Sequence, residues 1–363
     1  MKHSFVILSF LFIFSVIEPK ILHISFHLGC SKEIEYVARK LNLDITSIFI
    51  HRDWPGKEFD GKSSGGEIYN ITADRANNVW NLHKDFFDQF DAIITSDTAA
   101  LSRIFLQNNH WKKPLIIWVC NRFDYADGAT AKGLFPDKQY YQLFKKATTQ
   151  SNVKIVSYNA FEYHYAKSKG IDIGPTVIKP IGGYDEQPVA SSIPKTIVKK
   201  DTFFSPPYLN DTRFMKVAQH CRSLGIPTYN GRYAGPMDLR GFKGIIHLPY
   251  AWSNLAFFEN LYSGLPYFVP SKRFIHQLNR QGRYFIPDAS YFFFDNQEEL
   301  SEWYAPEHKD IITYFDSWED LQKKIATTNF EELSSKIKKF GKQHKITMLH
   351  RWNEVLTCLQ KQK

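Results

Sequence analysis

Between Gly244 and Pro270 the chain reads GIIHLPYAWSNLAFFENLYSGLPYFVP: an apolar run, a polar loop, a helix-like segment and a second apolar run. Ser253 is a natural N-cap for a helix over 254–263. Gly264 suits the left-handed residue that ends such a helix, and Pro266 forbids its continuation. A helix starting at the carboxyl edge of a strand presents unpaired N–H groups and the positive end of its dipole, a fit for a phosphate or a sugar oxygen. Glu259 stands in mid-helix among Phe257, Phe258 and Leu261. An acid in apolar company needs a polar partner, and a ribose diol is a good one.

This stretch resembles the donor-binding core of the GT-B glycosyltransferases, in which an acid precedes a small-residue turn, Gly-x-Pro and a β-strand. The resemblance extends in layout over residues 20–360. It implies that Glu259 holds the ribose of a nucleotide-sugar, that Ser253 and Asn254 face the phosphates or the donor sugar, and that Gly264 and Pro266 shape the turn. Basic residues should neutralise the diphosphate leaving group. By their place after the second domain's first strand, Arg213 and Lys216 match that role, with Arg232 and Lys243 as alternatives. Gly29, in the loop after the first strand, would let the backbone approach the diphosphate. Many retaining members carry a second glutamate in an E-x7-E pair, and here that position is Ala251.

An inverting transferase needs one carboxylate or histidine beside the acceptor hydroxyl. The candidates at strand ends are Asp124 first and Asp97 second, and His27 follows strand one. Asp97 equally suits the N-cap of a helix beginning near Ala99. Many relatives place a His-Asp pair near 121–124, where this chain has Asn121-Arg122-Phe123-Asp124. The chain lacks D-x-D, H-E-x-x-H and paired histidines at ligand spacing, so no metal is implied. It also lacks G-x-G-x-x-G after a strand, G-x-x-x-x-G-K-[ST] and G-x-S-x-G. No cofactor is expected beyond the nucleotide-sugar, which is a substrate. The acceptor would be a hydroxyl of a glycan, lipid or protein.

Strand-like and helix-like segments alternate from about residue 20, which indicates parallel strands covered by helices. The expected fold is α/β: GT-B, two doubly wound Rossmann-like domains facing across a cleft, where ligands bind at strand carboxyl ends. The expected divisions are a signal peptide or anchor over 1–18, an acceptor-side domain over 19–183 and a turn-rich linker over 184–200. A nucleotide-sugar domain over 201–340 and a basic helix over 341–363, packing back on the first domain, complete the chain.

Length supports this: 363 residues suit two domains. The net charge of +9 is concentrated in 336–363, where eight Lys or Arg face one acid. No nucleic-acid-reading motif accompanies that stripe, which reads as a solvated helix face. Four cysteines, Cys30, Cys120, Cys221 and Cys358, lack zinc spacing and could pair in three ways, among which sequence does not choose; Cys30 and Cys120 each end a strand, which allows them to lie near one another, with two free thiols the simpler reading. The apolar run Phe5–Ile17 has the length of a signal segment, cleaved or retained as a membrane anchor. The sequons at Asn70 and Asn210 also fit the secretory pathway. Two other readings share the scaffold: a non-catalytic two-lobed binder of sugars or small molecules, and a nucleotide-sugar epimerase.

Overall fold

The computed structural model describes residues 19–59, 71–124, 137–183, 201–207, 216–281 and 298–360. The apolar amino-terminal segment, both sequon asparagines, the linker 184–200 and Arg213 lie outside the described residues. Among those described, no helix is long and apolar enough to cross a membrane.

The first lobe contains β1 (Ile21–Ser25), α1 (Leu28–Leu41), β2 (Ile45–Phe49), α2 (Ile50–Asp53) and α3 (Ala73–Phe87). These are followed by β3 (Ala92–Ser96), α4 (Arg103–Leu106), β4 (Leu115–Val119), α5 (Lys138–Ala147), β5 (Val153–Ser157) and α6 (Ala160–Ser168). Its parallel sheet has the order β2-β1-β3-β4-β5. β1, β3 and β4 are buried throughout, as their unbroken apolar runs require of strands covered on both faces. His23 is the polar exception in β1: its ring nitrogens bond Ser47 and Ser96, each at 2.8 Å, and burial pushes its pKa down to about 3.

The second lobe repeats the plan. It runs β6 (Phe203–Phe204), α7 (Val217–Ser223), β7 (Thr228–Tyr229), α8 (Pro236–Leu239), β8 (Gly244–Ile246), α9 (Leu255–Ser263), β9 (Tyr267–Pro270) and α10 (Lys272–Arg280). β10 (Ile312–Phe315), α11 (Trp318–Thr327) and α12 (Phe330–Gln360) follow. Its parallel sheet is ordered β10-β9-β8-β6-β7. In both lobes the first strand has the second on one side and the third on the other. The strand order therefore reverses beside β1 and beside β6, and open α/β sheets bind ligands at such points.

The two lobes are joined at several places. α12 starts at Phe330 within the second lobe, ahead of the closing helix expected over 341–363. Gly341, at that expected boundary, lies inside it, and a Cβ there would stand 3.1–3.2 Å from Leu261 of α9. The far end of α12 sends Met348, Trp352, Val355 and Leu356 into the first lobe's core beside Trp118 and Ile178. Lys179 reaches across to Glu302 at 2.7 Å and Glu307 at 2.6 Å. Phe161 of α6 stacks on Trp252 at 3.7 Å and 8°. Glu33 of α1 accepts the backbone N–H groups of Ile181, Gly182 and Gly183, where the chain leaves the first lobe.

Candidate functional site

A crevice of about 590 Å³ lies where the carboxyl ends of the two sheets face each other. The first lobe supplies His27 to Cys30 from the start of α1, Asp97 after β3, Cys120 and Asn121 after β4, and Tyr158 after β5. The second lobe supplies Tyr233 to Pro236, Tyr250, Ala251 and, at the start of α9, Ser253 to Ala256, with Glu259 one turn further in.

α9 begins one residue later than its sequence suggests. Asn254 is the N-cap, and its side chain accepts the N–H of Ala256 at 2.9 Å. Its amide also donates to the Tyr250 hydroxyl. That leaves the Ser253 hydroxyl buried and, among the described residues, without a hydrogen-bond partner. Glu259 likewise has no hydrogen bond or ion pair to a described residue, and it looks into the crevice rather than into its own lobe. Burial, then the charge of Glu33, push its pKa up to about 8 against the pull of His27. The starts of α1 and α9 both point their unpaired first-turn N–H groups at this space, so its electrostatics favour an anion.

His27 is held as a cation. Its hydrogen bond to Cys30 is the main cause, and the charges of Cys30, Asp97 and Glu259 add to it, raising the pKa to about 9. Asp97 takes a left-handed backbone with φ of 70°, a strained choice of the kind found at working sites. Thr98, not Asp97, caps the following 3-10 turn at Ala99–Ser102. The Asp97 carboxylate is thereby released to the crevice, where Asn121 donates to it at 3.0 Å. Burial and the nearby Cys30 raise its pKa to about 7.

Several expected residues lie elsewhere. Asp124 is buried in the first lobe, where the hydroxyls of Tyr141 and Tyr165 both donate to it, so it does not line the crevice. The chain after β4 turns inward at Phe123, which takes Asp124 with it. Gly264 ends α9 in the left-handed conformation, φ 71°, at the end away from the crevice. It borders a separate hollow of about 540 Å³ together with Lys243 and Lys338. Lys216 is exposed at the start of α7, and neither it nor Lys243 lines the crevice. Gly29 does permit a close approach, but the neighbour is protein: a Cβ there would stand 2.2 Å from Leu255 of the other lobe. Tyr158, Tyr233 and Tyr250 escaped the sequence reading, although each follows a strand of its lobe.

A titration test follows from Glu259. Its folded pKa of about 8 lies above the ordinary 4.5, so the folded state holds the proton more tightly. The stability this contributes is present at acid pH and is lost as pH rises from 4.5 to about 8. Glu259→Gln, which mimics the protonated acid, should melt with the wild type at pH 5 and above it at pH 8.5. Parallel melting curves at both values would show that the acid is solvated.

No protein-family model matches the sequence, and no curated protein matches it. Among solved structures, a glycosyltransferase from Rickettsia africae ESF-5 superposes with a TM-score of 0.52 at 11% identity, covering 96% of this chain and 100% of that one. The glycosyltransferase SnogD from Streptomyces nogalater gives 0.46 at 9% identity, over 94% and 100%. A UDP-N-acetylglucosamine 2-epimerase gives 0.48 at 11%, over 88% and 90%. The paired sheets of identical strand order, the crevice at their carboxyl ends and the Rickettsia superposition together identify the fold as GT-B.

Proposed function

We propose that the protein transfers a sugar from a nucleotide-sugar, bound in the crevice, to a hydroxyl of an acceptor. The observation that carries this reading is Glu259: an acid with no hydrogen bond or ion pair among the described residues, one turn inside a helix whose amino end faces an open interlobe crevice. In the proposed complex Glu259 accepts from the ribose hydroxyls, and the diphosphate lies over the starts of α9 and α1. The His27 imidazolium offsets the charge that builds on the leaving diphosphate, as preorganised cations do in such sites.

Asp97 is the proposed base. The acceptor oxygen attacks the anomeric carbon, the bond to the diphosphate breaks, and the acceptor proton passes to Asp97. A pKa near 7 suits that exchange at neutral pH, and the Asn121 amide fixes the carboxylate's direction. The three tyrosines of the crevice offer flat faces and hydroxyls to sugar rings. The role needs no metal or further cofactor: the helix starts and His27 meet the charge. The secretory route suggested by Phe5–Ile17 belongs to the same proposal, with the acceptor drawn from glycans, lipids or proteins.

The test is a thermal-shift screen of nucleoside diphosphates and nucleotide-sugars. A ligand present at a hundred times its Kd should add about 2.7 kcal/mol, seen as a rise of several degrees in Tm. A response to free sugars with none to any nucleotide would replace the transferase by a two-lobed binding protein.

A further inference from the structure

Sugar transfer leaves one pair of crevice residues without a task. Cys30, in the first turn of α1, and Cys120, just past β4, hold their sulfurs 3.9 Å apart, and neither is in a disulfide. They are 90 residues apart in sequence. The sheet brings them together, because β1 and β4 flank β3 and all three strands end at the same edge. Both sulfur-bearing residues line the crevice, so a small oxidant has access to them.

Their surroundings divide them into unlike partners. Hydrogen bonds from Cys120, His27 and Ser96, with the positive charge of His27, bring the Cys30 thiol down to about 5 despite its burial. Burial and the neighbouring Cys30 charge push Cys120 well above the ordinary thiol value. A thiolate at a helix start beside a protonated histidine is the reactive kind of cysteine, and a neutral thiol in contact with it is placed to resolve its oxidation. Closing the pair needs the sulfurs to approach from 3.9 Å to about 2.05 Å.

We propose that Cys30 and Cys120 form a reversible dithiol–disulfide pair in the crevice wall, closed by hydrogen peroxide and reopened by a thiol reductant. The Cys30 sulfur attacks one peroxide oxygen, the O–O bond breaks and hydroxide leaves, giving a sulfenic acid. The Cys120 sulfur then attacks the Cys30 sulfur; its proton and the sulfenic hydroxyl leave as water, and the S–S bond forms. Two thiols together lose two electrons, and peroxide, with the proton Cys30 gave up on ionising and the proton of Cys120, becomes two waters. The product removes the thiolate that His27 bonds and pulls on the turn of α1 that packs, at Gly29, against Leu255 of the other lobe.

The experiment exposes the folded full chain to hydrogen peroxide, blocks remaining thiols and compares intact mass and unreduced peptides. The expected result is loss of two hydrogen atoms, a Cys30–Cys120 linked peptide and full reversal by dithiothreitol. In Cys120→Ser the same treatment should stop at a Cys30 sulfenic acid that dimedone traps, and in Cys30→Ser the linked peptide should vanish. Three outcomes overturn the proposal: no change in mass, irreversible oxidation of Cys30 with Cys120 left free, or linkage through other cysteines. Because the readout is a covalent bond, it stands apart from any result on nucleotide binding.

Discussion

Glu259→Ala is expected to weaken the binding of a nucleoside diphosphate by roughly 30- to 150-fold, with little or no loss of fold stability. Two hydrogen bonds to the ribose diol, at about 1–1.5 kcal/mol each, amount to about 2–3 kcal/mol, which converts to that range of Kd. The fold should tolerate the change, because Glu259 bonds no described residue and its burial already disfavours the ionised form. Calorimetric titration of wild type and variant measures the ratio. A nucleotide lacking both ribose hydroxyls supplies the internal control: it should bind the two proteins equally. If the variant binds the complete nucleotide as tightly as the wild type, Glu259 does not touch the ribose and the donor assignment falls with it.

The second large effect concerns the joint between the lobes. Trp352 of α12 is fully buried against Trp118, edge to face at 5.3 Å and 80°, and belongs to the same cluster as Cys30, Val37 and Ile178. Truncating a buried tryptophan costs about 3–5 kcal/mol, from lost transfer energy and the cavity left behind. Trp352→Ala should therefore lower Tm by several degrees or more, and Trp352→Phe by much less. The exposed neighbour Arg351 is a useful comparison: its bond to the Val177 carbonyl, 2.8 Å, lies in solvent, and Arg351→Ala should shift Tm only slightly. Equal effects at 351 and 352 would mean that α12 does not seat as described.

Much of this organisation is readable from residue order. Two runs of alternating strand and helix patterns predict two α/β lobes, because the apolar strands have to be covered on both faces. Around α9 the punctuation is strong: a cap residue, a left-handed glycine and a proline bracket the helix, and Glu259 between them is conspicuous because its neighbours are apolar. Local pattern fails where a side chain's direction depends on distant packing. Asp124 follows a strand just as Asp97 does, yet a buried Phe123 turns it toward two tyrosines. Gly341 resembles a break until the helix it approaches, at Leu261, is known. Lys and Arg are the residue types expected to meet a diphosphate, whereas the crevice holds a histidine charged by its neighbour, which no spacing rule reveals. The adjacency of Cys30 and Cys120, by contrast, follows from two strands ending at one sheet edge.

The return of α12 to the first lobe also bears on how the protein is made. A ribosome extends a chain from its amino end, and early domains usually complete their folding while later ones are still being added. Here Met348, Trp352, Val355 and Leu356 help cover the patch around Trp118 and Ile178, so the half that emerges first keeps part of an oily face bare until that stretch of α12 has been added. A nascent chain paused before that point would be a client for chaperones.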